Sequence, residues 1–202
     1  LLFAASFDGQ GAVALQAADD FMEVTGNPMH ALLTRVRFGR FDEILAMDAR
    51  PEMPLQAAFH DFAHGYARLR TGDVAGARRL ADAVLAYAED TEDELRFHDA
   101  GTVLGALGSL LDGALHREAG DLDAAIAAFE RAVELEDGLD YDEPEALPFA
   151  PRHCLGAALL EAGRPAEADL VYRVELADHP HNGWSLFGLQ QALAAQGRSD
   201  GM

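Results

Sequence analysis

Two histidines four residues apart, in the run His60-Asp61-Phe62-Ala63-His64, come nearest to a metal-binding motif in this chain. On a helix that spacing brings both imidazoles to one side, as in the zinc-binding H-E-x-x-H pattern. Asp61 stands where that pattern has its glutamate general base, and its shorter arm reaches less far. The chemistry would be that of a divalent transition metal such as zinc, with hydrolysis as the reaction. A third ligand is needed, and His30, His98, His116 or a carboxylate could supply it in three dimensions. The other reading needs no cofactor: His60 lies in a groove and His64 packs beside Gly65.

Two smaller constellations deserve the same weighing. His179-Pro180-His181 with Asp178 could hold a transition metal weakly, or could simply be the turn that ends a helix pair. His153-Cys154 beside Arg152 could be a nucleophile, because a cationic neighbour lowers a thiol pKa. Cys154 equally reads as a packing residue just before Leu155-Gly156. There is no glycine-rich phosphate loop, no G-x-S-x-G elbow and no paired-carboxylate motif. Whether the chain is an enzyme stays open, and the pattern leans toward binding.

The bulk composition narrows the partners. The net charge is −20 and the pI about 4.5, with all 15 basic residues arginine. Nucleic acid and anionic membranes both demand positive surface, so neither is expected as a partner. A partner carrying positive charge is compatible. Half the residues are hydrophobic and only 8% aromatic, which suits close helix packing better than a β-sandwich. The single cysteine, Cys154, can form no internal disulfide, and no apolar run reaches the roughly 18–20 residues of a membrane helix. These features predict a cytoplasmic protein. The opening Leu1-Leu2-Phe3-Ala4-Ala5 reads as a helix already under way, as in the C-terminal portion of something longer.

The candidate residues must be positioned by helices. Gly9, Gly39, Gly72, Gly120, Gly163 and Gly197 each separate two helix-like runs, at spacings of 30, 33, 48, 43 and 34 residues. Around three of them the register repeats. Gly65, Gly113 and Gly156 stand seven residues before Gly72, Gly120 and Gly163. Ala77, Ala81 and Val84 follow Gly72 at offsets of five, nine and twelve, as Ala125, Phe129 and Ala132 follow Gly120. Ala168 and Tyr172 keep the first two offsets after Gly163, whereas Glu175 breaks the third. Long helices are predicted over 55–70 and 99–119, the second with four glycines. The acidic run 89–94 is predicted as a loop or helix cap. The loop 137–151, with three prolines and five acidic residues, is the longest insertion. A last amphipathic helix over 182–196 is expected to cap the array.

These residues resemble the tetratricopeptide repeat (TPR) superfamily over nearly the whole chain. The segment 141–197, with its Tyr-Asp-Glu-Pro loop and terminal Gly-Trp helix, is also similar to the C-terminal end of a group of bacterial TPR proteins. The resemblance implies an all-α, right-handed superhelix of antiparallel helix pairs, forming one array over 1–197 with a flexible tail at 198–202. It further implies a scaffold whose first helices line a concave groove for a protein or peptide. On that register the groove residues would be Phe59, Phe62, Tyr66, Leu69, Leu110, Arg117, His153, Trp184 and Phe187. The alternatives are a metal-binding or hydrolytic protein using His60 and His64, or a structural or regulatory segment of a larger enzyme. The acidic loop or the last helix could also fill the groove.

Overall fold

The computed structural model describes residues 1–198. They form an all-α protein of eleven helices packed in sequential antiparallel pairs. In chain order these are α1 (Leu2–Phe7), α2 (Gly11–Thr25), α3 (Met29–Arg37), α4 (Phe41–Ala46), α5 (Pro54–Arg70) and α6 (Val74–Asp90). Then come α7 (Ala100–Glu118), α8 (Leu122–Asp137), α9 (Arg152–Glu161), α10 (Pro165–Asp178) and α11 (Gly183–Ala195). Between α6 and α7 the chain makes a small antiparallel hairpin, β1 (Glu94–Leu95) and β2 (His98–Asp99). The acidic run 89–94, expected there as a loop or cap, ends α6, forms the Thr91 cap and a short loop through Asp93, and enters the first hairpin strand at Glu94. Among the described residues no helix is long and apolar enough to cross a membrane. The expected tail at 198–202 lies, apart from Arg198, outside the described residues.

The turns between paired helices follow from the punctuating glycines. Gly120 has φ +80°, a left-handed conformation in which the Cβ of an L residue crowds the following carbonyl oxygen, and the other five of the set are also left-handed. The aspartate after Gly72 and Gly120 then caps the next helix: Asp73 accepts from the Gly76 amide and Asp121 from the Ala124 amide. Asp99 caps α7 in the same way.

Packing explains the other glycines of the register. A Cβ on Gly113 would sit 2.5 Å from the Phe129 ring, so its absence lets α7 and α8 close together around that ring. Tyr172 of α10 is held likewise, its ring lying over Gly156 of α9 and Gly188 of α11. The offset residues Ala77, Ala81, Val84, Ala125, Phe129, Ala132, Ala168 and Tyr172 all lie in one apolar core running from α3 to α11. Helix α11 departs from expectation. Ser185, Gly188, Ala192 and Leu193 are buried on its inner face, yet Leu186 and Phe187 are exposed on the other, so it is apolar nearly all round rather than amphipathic.

Candidate functional site

The residues placed on the concave groove by register are mostly interior. Phe59, Phe62, Leu69 and Leu110 are core residues, packed in one cluster with Leu147 and Phe149. The segment 147–150, which closes the long proline-rich insertion, is buried against the inner helix faces. The residues expected to line a groove are thus interior, and the insertion adds its own apolar side chains, Leu147 and Phe149, to the same core cluster. Tyr66 is half-buried over the same cluster. Arg117 forks onto Glu161, with Nε donating at 2.7 Å. Phe187 is 64% exposed, and Trp184 and His153 belong to a different feature.

That feature joins the two ends of the chain. The Arg37 guanidinium, at the end of α3, stacks 3.8 Å above the Trp184 ring of α11. It also faces Phe7 at the end of α1. Arg37 Nη1 approaches His153 Nδ1 at 3.1 Å, and Asn182 Nδ2 approaches His153 Nε2 at 2.9 Å. A neutral imidazole accepts at one nitrogen only, so His153 satisfies one of these two donors. Burial, with Arg37 and His179 nearby, pushes the His153 pKa down to about 3, which keeps the ring neutral. Burial also lowers Arg37, to about 10.

The histidine pair of α5 does not make a metal centre. His60 and His64 stack face to face with ring centroids 3.9 Å apart. His64 Nε2 lies 3.2 Å from the Met47 carbonyl oxygen. Asp61, in the general-base position, is held by both Arg50 Nε and Nη2 at 2.8 Å. No third ligand joins them: His30 sits against Phe3 and Phe21, His98 against Asp142, and His116 against Asp112. Among the described residues no group of three or more His, Cys, Asp or Glu side chains could hold a metal ion. Burial lowers the His64 pKa, with His60 adding to the effect. The Cys154 thiol is pushed up by burial, against the opposing pull of Arg117, so it is not an activated nucleophile. Arg152 faces away from it, toward Asp137 at 2.6 Å.

An open concavity lies elsewhere. A cleft of about 560 Å³ lies between α1, the end of α8, the 139–147 loop, the start of α9 and the end of α10. Phe3 and Phe7 give it an aromatic wall. Eight carboxylates line it, against one arginine, Arg152, and two histidines, His98 and His179. The loop that forms its rim is strapped by the hairpin. Arg96 donates to Asp142 at 2.8 Å and to the Pro144 carbonyl at 3.1 Å, and His98 meets Asp142 at 3.3 Å.

The charges in the cleft are unevenly balanced. His179 bridges Glu175 at 2.8 Å and Glu145 at 2.9 Å while stacking on Phe7. Those two carboxylates raise its pKa to about 10, so it is an imidazolium at neutral pH. Glu175 is only 2% exposed and also accepts from Asn182. Glu136 has the opposite difficulty. Burial first, and then the neighbouring Glu175, raise its carboxyl to about 8 despite Arg152 at 3.5 Å. Asp140 and Asp178 form no ion pair among the described residues. The site offers a cation several carboxylates and an aromatic wall, and it lacks the clustered ligands of a metal centre.

Sequence reasoning named His179 only as a turn or weak metal ligand, and missed Glu136, Glu145 and Arg37 altogether. It did hold one signal. Glu175 occupies the offset-twelve position that is a buried Val84 or Ala132 in the other copies, and a carboxylate in a core slot must be matched by partners. No family model, curated protein or solved structure matches the chain.

Proposed function

We propose that this chain is a TPR-like scaffold, a right-handed superhelix of helix pairs, that binds a protein or peptide partner through a basic segment laid in the acidic cleft. The observation that carries this reading is the cleft itself: about 560 Å³ of open space bearing eight acidic side chains, of which Glu136 alone is held protonated, and an aromatic wall. A lysine or arginine side chain finds there both halves of its usual recognition, a carboxylate for the charged head and a ring face for the stem. The net charge of −20 steers such a partner toward the surface over a Debye length or so. The expected concave groove takes no part.

Isothermal titration with a short peptide alternating lysine and glycine tests this, with a glutamate–glycine peptide as the control. The lysine peptide is expected to bind, and to weaken as salt is raised. Asp140→Asn with Asp178→Asn removes two exposed carboxylates worth about 0.2–1 kcal/mol each, so affinity falls about two- to thirtyfold. Equal binding of both peptides, or binding indifferent to salt and to the double variant, refutes the assignment.

A further inference from the structure

The eight acidic side chains of the cleft differ in what already holds them. Asp137 is held by Arg152, Asp142 by Arg96, Glu143 by the Tyr141 hydroxyl, and Glu145 and Glu175 by His179. That leaves Glu136, Asp140 and Asp178. The two aspartates are exposed and keep their water, so a bound cation gains little from them. Glu136 is set into the wall, its side chain 20% exposed. Its Oε2 is sealed from solvent without a hydrogen-bond partner among the described residues, and Arg152 Nη1 stops 3.5 Å short of it. A sealed carboxyl without a donor is where an arriving donor has the most to satisfy.

A second acceptor of the same cleft is unmet. His98 is 3% exposed, and its Nε2 faces the Asp142 carboxylate at 3.3 Å, so Nε2 carries the proton. On the neutral ring Nδ1 is then an acceptor, and it has no donor among the described residues. A cationic head brings the donors that this lining lacks.

From these unmet acceptors we propose that Glu136 receives the cationic head of the bound segment, that it takes lysine in preference to arginine, and that the head displaces the carboxyl's own proton. This rests on the acidic-cleft reading and names the contact within it. The proton follows from the neighbours. Glu136 faces Asp137 on its own helix, Glu145 of the loop and Glu175 of α10. Against them stands Arg152 of α9, already committed to Asp137, while His179 is shared by Glu145 and Glu175 and α1 brings no titratable group. Burial, and then Glu175, raise the Glu136 pKa to about 8. Arg152 faces Oε2, so the proton sits on Oε1. An ammonium arriving at Oε1 replaces it: the carboxyl releases H⁺ to the buffer, an ion pair takes its place, and no other bond changes. A guanidinium fork needs both oxygens, and Oε2 is enclosed, whereas an ammonium needs only one.

Titration calorimetry with an acetylated, amidated lysine–glycine peptide, run at pH 7 in phosphate and in Tris, counts protons from the difference in heat. About one proton should leave per peptide bound, and affinity should climb by up to about tenfold per pH unit from pH 6 to 8 and then level off. The corresponding arginine–glycine peptide should bind at least about threefold more weakly. Glu136→Gln keeps the shape of the side chain and removes the titrating group, so it binds without proton release and with an affinity flat over that range. Salt-dependent binding that releases no proton, a pH slope that survives Glu136→Gln, or arginine binding as tightly as lysine overturns this inference and leaves the cleft reading standing. A lysine peptide that does not bind at all refutes both together.

Discussion

Replacing Glu136 by glutamine should make the protein more stable, and increasingly so as pH rises. The carboxyl is four-fifths buried, faces Glu175 and Glu145 across the cleft, and has only a 3.5 Å contact with Arg152 to offset them. Its pKa rises from 4.5 to about 8 on folding. Between those values the folded protein holds a proton that the unfolded chain has released, so stability falls as pH climbs through that window. At about 1.4 kcal/mol per tenfold, the full rise sets a ceiling of about 5 kcal/mol. Residual solvent access and the Arg152 contact bring the expected figure to about 2 kcal/mol. Urea unfolding of both proteins from pH 5 to pH 9 measures it. Near pH 5 the neutral acid and the amide should differ by less than about 1 kcal/mol, and above pH 8 the variant should lead by about 2 kcal/mol. A difference that stays flat with pH would refute the account of Glu136 as a carboxyl held protonated by its surroundings.

Three further outcomes follow from packing and from the chain's histidines. Gly188→Ala drives a methyl into the Tyr172 ring and should cost about 1–3 kcal/mol in urea unfolding, with part recovered by adding Tyr172→Leu. Arg37→Ala strips the cation from the only tryptophan, so Trp184 emission should shift to the red with a loss of about 1–2 kcal/mol. Unchanged emission would mean that the stack is not populated in solution. Zinc should leave the melting temperature unaltered, and a rise abolished by His64→Ala would reinstate a metal site on α5.

The helices were legible because their signals are local. Left-handed glycines and the five–nine–twelve offsets each act within one helix pair, and the helices predicted over 55–70 and 99–119 match α5 and α7 to within a residue at each end. The sequence leaves the groove residues two fates, open or covered by the acidic loop or the last helix, and composition does not choose between them: the acidic, proline-rich 137–151 insertion also carries Leu147 and Phe149, which are buried in the core cluster. The cleft was invisible for a different reason. It gathers Phe3 and Phe7, Glu136 to Arg152, and Glu175 to His179, which meet only because the first helices fold back on the last. Glu175 alone betrayed it, as a charge in a position where its counterparts are aliphatic.

The clasp of Arg37 on Trp184 and His153 changes how such an array should come apart. A linear stack of helix pairs couples each unit only to its neighbours, so it frays from its ends and can melt in stages. Here residues 116 positions apart in the chain touch, Arg37 of α3 meeting His153 of α9 as well as Trp184 of α11, while Phe7 of α1 stacks on His179 just past α10. Neither end is then free to fray alone. The short, glycine- and proline-interrupted pair α3–α4, which would be the weakest member of an open stack, borrows stability from the far terminus. Unfolding becomes a collective event, with a single transition from probes at both ends, and folding slows because its closing contact spans more than half the chain.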